Sequence, residues 1–242
     1  MTRFATTALA LCLAATTAAP AQDLSDEALR DLILQTIRDN PEVVMEAIEL
    51  LQARQEEEAA AAAQAVLSSN RDALERDPNA PVMGNPEGDV TIVEFFDYNC
   101  GYCRRVFGDV KKLVEGDDNV RIVMREWPIL GEESVFAARA SLASRKQGKY
   151  EEFHVALMEN QGRANEATVM RIAKDLGMDT DQLRADMDAP EVVAHLQISQ
   201  QLTQALGFNG TPAFVFGDEL VPGAIQIEQM EALVADIRDQ AG

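Results

Sequence analysis

Two cysteines three positions apart, Cys100 and Cys103, with Gly101 and Tyr102 between them, are the residues of this chain best placed to do chemistry. Two thiols at that spacing can close into a disulfide and be reopened when another sulfur attacks. A bridge across two residues closes almost no loop, so it adds little stability through chain entropy. The pair therefore reads as reactive, and an inert structural bridge is the weaker reading. The other rival is a metal site. Such a site wants about four ligands, and only His154 and His195 could add nitrogen, neither at a ligand spacing. No metal or other cofactor is expected.

The elements around the pair say how it would be held. Val90-Thr91-Ile92-Val93-Glu94-Phe95-Phe96 is β-branched, aromatic and nearly all apolar, as buried strands are. After a short loop comes Cys100, and residues 101–115 read as a helix. Cys100 is thus placed at a helix N-terminus, where unpaired N–H groups and the helix dipole favour a thiolate. In such places a cysteine pKa falls from about 8.5 to between roughly 3.5 and 7.5. Cys100 is expected to be the attacking sulfur, and Cys103, one turn into the helix, the resolving one. Arg104 and Arg105 read as solvated helix surface. Glu94 is a lone carboxylate among Val, Ile and Phe. It is either an edge-facing surface residue or a buried group with a use, since burial without a partner is costly.

Beyond the pair, residues 120–125 alternate like a second strand, 213–216 make a third, a turn at 217–219 leads to a short fourth, and 226–239 close the chain as a helix. Residues 132–207 are helical throughout, broken near Gly148, Gly162, Gly177 and Pro190. This is an α/β unit with an all-helical insertion, running from residue 82 to 242. His154, among Phe153, Val155 and Leu157, reads as structural.

The N-terminal part has a different character. Residues 24–38 and a second helix beginning at Pro41 share an apolar stripe of Leu29, Leu32, Ile33, Ile37, Val44, Ile48 and Leu51. Residues 52–65 are Gln, Glu and Ala with one Arg, and Asp77-Pro78-Asn79-Ala80-Pro81 ends the run. A continuous helix over 41–75 is about 50 Å long. Residues 22–81 are read as a helical arm and linker, too small for a core of their own. Their stripe predicts self-association into a homo-oligomer. Removing residues 23–77 is expected to leave a folded monomer.

Residues 1–21 have the pattern of a secretory signal peptide: basic Arg3, an apolar run, and Ala19-Pro20-Ala21 at the cleavage point. Cys12 falls in this segment. Cleavage removes no charged residue but Arg3 and takes the net charge from −20 to −21. That charge argues against nucleic acid or an anionic membrane surface as partner. The expected location is beyond the inner membrane, in the periplasm.

The segment Glu94-Phe95-Phe96-Asp97-Tyr98-Asn99-Cys100-Gly101-Tyr102-Cys103 resembles the active-site region of the DsbA-like periplasmic thioredoxin family, and the resemblance runs from Val82 to the C-terminus. It implies a thioredoxin fold with the helical insertion and a thiol–disulfide oxidoreductase. It implies an acid–base role for Glu94, passing the proton of Cys103. Thr211-Pro212 before a strand is similar to the superfamily's cis-proline loop, with Thr211 left to pair with a client strand. The N-terminal helices are similar to the oligomerisation arm of the ScsC subgroup. Two features depart from the strongly oxidising members. The dipeptide Gly101-Tyr102 and the Thr211 before Pro212 are both similar to the DsbC isomerases. The resemblance implies exported cysteine-containing clients, a membrane redox partner, and an isomerase; a monomeric dithiol oxidase is the alternative.

Overall fold

The computed structural model describes residues 25–241, so the expected signal peptide and Cys12 lie outside the described residues. The chain divides into two compact units between Glu57 and Glu58.

In the first unit, α1 spans Asp26–Asp39 and α2 begins at Glu42. Ser25 caps α1 by accepting from the Ala28 N–H at 3.3 Å, and Asp26 and Glu27 favour the positive end of the dipole. Asn40 ends α1, its Nδ2 donating to Thr36 O at 2.9 Å, and Pro41 sets the direction of the next helix. Every residue of the expected stripe from Leu29 to Leu51 is 38–56% exposed.

The second unit opens inside α2, which runs to Glu75. Then come β1 (Val82–Gly84), β2 (Val90–Phe96), α3 (Gly101–Gly116) and β3 (Val120–Glu126). The insertion follows as α4 (Glu132–Ser144), α5 (Tyr150–Glu159), α6 (Glu166–Asp175), α7 (Thr180–Asp186) and α8 (Pro190–Ala205). The chain closes with β4 (Ala213–Phe216), β5 (Glu219–Pro222) and α9 (Ile227–Ala241). The sheet order is β1-β3-β2-β4-β5. Strands β2 and β3 are parallel, from Val90 beside Val120 to Phe96 beside Glu126, and the other pairs are antiparallel. This is the expected α/β architecture, a thioredoxin fold with an all-helical insertion. Strand β1 escaped the sequence reading because three residues carry no periodicity. Gly84 serves it at φ 79°, where a Cβ would stand 2.5 Å from Val120 O.

Alternation along the strands divides the core. Ile92, Phe96, Ile122, Met124, Phe214 and Phe216 face Cys103, Val106 and Phe107 of α3 and Met230 of α9. Val93, Phe95, Val123, Ala213 and Val215 face the other way, onto Leu67 and Leu74 of α2, Leu202 of α8 and Leu206 just after it. The later part of α2 is therefore core and not spacer. Arg125, fully buried, fastens it: Nη1 lies 2.7 Å from Asp77 Oδ2, and Nη2 donates to the carbonyl of Ala73. Burial alone would raise the Asp77 carboxyl, but the Arg125 guanidinium and the Asn79 N–H hold it below its usual range. Among the described residues no helix is long and apolar enough to cross a membrane.

Candidate active site

Cys100 is the N-cap residue of α3, with φ −77° and ψ 118°. Its position follows from the sequence around it. Strand β2 ends at Phe96, Asp97 C=O accepts from the Cys100 N–H at 3.0 Å, and an amphipathic helix begins. That helix buries Cys103, Val106, Phe107, Val110 and Leu113 at i, i+3 and i+4 spacing. The Cys100 Sγ accepts from the Cys103 N–H at 3.5 Å and lies 3.2 Å from Thr211 O, toward which a thiol proton would point. Cys100 is 6% exposed, Cys103 0%, and Tyr102 stands out at 60%.

The two thiols are driven apart. The interaction with Cys103 lowers Cys100 first, and the Tyr102 and Cys103 N–H groups add to it, so that its pKa drops to about 5 against the opposing effect of burial. Burial, then the neighbouring Cys100, push the Cys103 thiol far up. One sulfur is a thiolate at neutral pH and the other holds its proton.

Glu94 occupies the central strand, between Met124 of β3 and Phe214 of β4, and is fully buried. Neither carboxyl oxygen has a hydrogen-bond partner. Burial pushes its pKa up to about 8. It lies on the sheet face that carries α3, and when ionised it pushes the Cys103 thiol further up. The edge-facing alternative is thus wrong. A lone carboxylate in a strand does not say which strand is central.

Thr211-Pro212 is a cis peptide bond, and Thr211 O is the carbonyl beside Cys100. Gly101 faces open space, with nothing within 4 Å of an added Cβ. Arg105 stacks on the Tyr102 ring at 4.6 Å. Arg104 is not the solvated residue expected: it is half-buried, its Nε donating to Tyr98 O at 2.8 Å and its Nη1 to Gly162 O.

Apart from His154, which is structural as expected, the polar residues behind the site went unread in the sequence. Asp97 is 1% exposed and Ser134 0%, the Ser134 hydroxyl donating to Asp97 Oδ1 at 2.7 Å. Tyr98 OH bonds Ser141 Oγ at 2.6 Å and His154 Nδ1 at 2.8 Å. Burial lowers His154 to about 4, so it is a neutral structural group packed against Phe96, Phe107 and Tyr150. His195 Nε2 lies 2.8 Å from Glu126 Oε2, whose Oε1 accepts from Tyr150 OH. The available signal was Asp97 itself, an acid where an apolar strand ends. Apart from Asn99, the partners of its carboxylate are more than thirty residues away. Among the described residues no three His, Cys, Asp or Glu side chains are grouped to hold a metal.

A five-stranded sheet with a helical insertion and a dithiol at the head of its first domain helix defines a thioredoxin-fold protein. Residues 91–235 match the DSBA-like thioredoxin domain, and the chain belongs to that family. It is similar to a thioredoxin-like oxidoreductase of Silicibacter pomeroyi, with 62% identity, a TM-score of 0.69, and coverage of 70% of this chain and 98% of that one. A linker-deletion mutant of ScsC from Proteus mirabilis is 28% identical with a TM-score of 0.69, covering 92% of this chain and 99% of its own. The thiol-disulfide exchange protein alpha-DsbA2 of Wolbachia pipientis gives 28% and 0.69, over 74% and 97%. A Na(+)/H(+) antiporter of Salinispora tropica is 28% identical over 155 residues, 63% of this chain and 24% of that protein. The chain spans about a quarter of the length of the curated relatives it matches.

Proposed function

We propose that the protein exchanges thiols and disulfides of exported, cysteine-containing clients in the periplasm, and that it works as an oligomeric disulfide isomerase. The observation that carries this reading is the opposed state of the two sulfurs: Cys100 lowered to about 5 at the head of α3, Cys103 buried and protonated one turn below.

The Cys100 thiolate attacks one sulfur of a client disulfide. A Cys100–client bond forms, the client S–S bond breaks, and the second client sulfur leaves as thiolate. If a different thiolate of the client attacks the client sulfur of the mixed disulfide, a new client S–S bond forms, the Cys100–client bond breaks with Cys100 leaving as thiolate, and the client has isomerised with no net electron transfer. If Cys103 attacks Cys100 instead, its proton must leave, the Cys100–Cys103 bond forms, the Cys100–client bond breaks with the client sulfur leaving as thiolate, and the client is reduced by two electrons. Glu94 is the base proposed for that proton. Its pKa of about 8 is near the working pH, where a proton acceptor is most effective. Half-buried Thr211, beside the sulfur, is the proposed pairing point for an extended client strand. A membrane redox partner would restore the dithiol.

Two features favour isomerase over a monomeric oxidase. Tyr102 offers the thiolate no ring N–H, so the reduced form is less stabilised than with a histidine there. The exposed stripe of residues 29–51 would be covered by copies of the same chain, giving several sites around one client. The test is reactivation of scrambled against reduced ribonuclease by the full-length mature protein. Faster recovery of the scrambled enzyme is expected, and Cys103→Ala should accumulate mixed disulfides through Cys100. Activity on reduced ribonuclease alone would move the oxidase reading ahead.

A further inference from the structure

We propose that Asp97 is a positioning residue for the dithiol: its carboxylate fastens the active-site turn to the head of the helical insertion, and its own carbonyl holds Cys100 at the head of α3. The carboxylate is fully engaged. Oδ1 accepts from the Asn99 N–H at 2.7 Å and the Ser134 hydroxyl at 2.7 Å. Oδ2 accepts from the N–H groups of Ile129 at 2.9 Å and Leu130 at 3.0 Å. These donors come from three places: the turn before Cys100, the connection after β3, and the first turn of α4. Asn99 adds a second tie, donating through Nδ2 to Ser134 Oγ at 3.1 Å and accepting from the Ala164 N–H at 2.8 Å. The main chain of Asp97 also holds the pair at its first member: its C=O accepts from the Cys100 N–H at 3.0 Å.

A carboxylate suits this place where an amide does not. Four donors converge on two oxygens, so an asparagine would turn its own NH2 toward two of them. A loosened turn would let Cys100 drift from the N–H groups of α3 and lose thiolate stabilisation. The charge itself works the other way. Removing a negative group near the sulfurs favours a thiolate, while Arg104 on α3 stays charged and Glu94 on β2, raised to about 8, is neutral at the Cys100 midpoint. The two effects therefore have opposite signs.

The inference rests on Cys100 being the attacking sulfur of the proposed exchange. The test uses the reduced full-length mature protein, its Asp97→Asn variant and its Ser134→Ala variant. It measures the pH midpoint of Cys100 alkylation by iodoacetamide and the equilibrium with glutathione. In Asp97→Asn the midpoint should rise by about one unit, and the equilibrium constant should shift about tenfold, roughly 30 mV, toward the Cys100–Cys103 disulfide. Ser134→Ala, which removes one donor to Asp97 and one acceptor of Asn99, should move both in the same direction by a smaller factor. A fall in midpoint in Asp97→Asn would mean that charge alone acts, and a midpoint unchanged beside a lowered melting temperature would mean a merely structural residue. Either overturns the proposal. Should Asp97→Asn not fold, an unshifted Ser134→Ala overturns it. A wild-type midpoint near that of free cysteine would sink the exchange reading itself, and this inference with it.

Discussion

Cys100 and Glu94 pull the stability of the reduced protein in opposite directions as the pH changes. Glu94 is raised from 4.5 to about 8 on folding. Its contribution is fully present below pH 4.5 and is lost as the pH rises toward 8, because the unfolded carboxyl ionises first. Cys100 is lowered from 9 to about 5, so its contribution is present above pH 9 and is lost as the pH falls through 5. In the oxidised protein the Cys100 term vanishes and Glu94 is left. Glu94→Gln should then flatten the loss of stability between pH 4.5 and 8, with a gain on the order of 3–5 kcal/mol at the upper end. Chemical denaturation of the oxidised protein at several pH values checks this. The same variant should slow the release of mixed disulfides by Cys103 and leave the first attack by Cys100 unchanged. Equal slowing of both steps would count against a proton role for Glu94.

Helix α3 explains why so much of the site could be read from sequence while its support could not. Cys100 and Cys103 were legible because strand, turn and amphipathic helix are local patterns, and the helix N-terminus follows from them. The burial of Glu94 needed the strand order, and the engagement of Asp97 needed contacts to residues 129–134, which no local period reports. The same element invites a direct test of the dipeptide. Gly101 is the first residue of α3, its Cβ position is open, and Cys100 at ψ 118° is already extended, as a residue before proline must be. Gly101→Pro should change stability by less than about 1 kcal/mol. Gly101→Pro with Tyr102→His should make the protein at least about tenfold more oxidising against glutathione, some 30 mV. A double variant with an unchanged equilibrium would remove the dipeptide from the argument. Helix α2 carried the clearest misreading. Its polar composition over residues 52–65 suggested a spacer through to Asp77, yet Leu67 and Leu74 are each 1% exposed and Asp77 pairs with buried Arg125. Two apolar residues one heptad apart gave too little period to read. Deleting residues 23–77 would strip two core leucines and orphan a buried guanidinium, at about 5 kcal/mol or more. Deleting 23–57 spares all three, and its melting temperature should stay within a few degrees of the full-length protein.

The oligomer proposal turns on the first unit, whose helices α1 and α2 carry seven stripe residues left 38–56% exposed. Fully burying one such side chain is worth about 1.5–3 kcal/mol, so covering the stripe with like copies would outweigh the cost of bringing them together. Light scattering of the mature protein should report more than one chain per particle, and deletion of 23–57 should give a monomer that loses activity on scrambled ribonuclease but keeps dithiol exchange. A monomeric full-length protein would leave the isomerase reading on Gly101, Tyr102 and Thr211 alone. Exchange itself rests on one property, the separation of the two thiols. Alkylation of the reduced wild-type protein with iodoacetamide from pH 3 to pH 9, followed by peptide mass mapping, measures it directly. Labelling is expected at Cys100 alone with a midpoint near pH 5 and Cys103 protected throughout. Equal labelling of Cys100 and Cys103 at neutral pH would overturn the exchange reading.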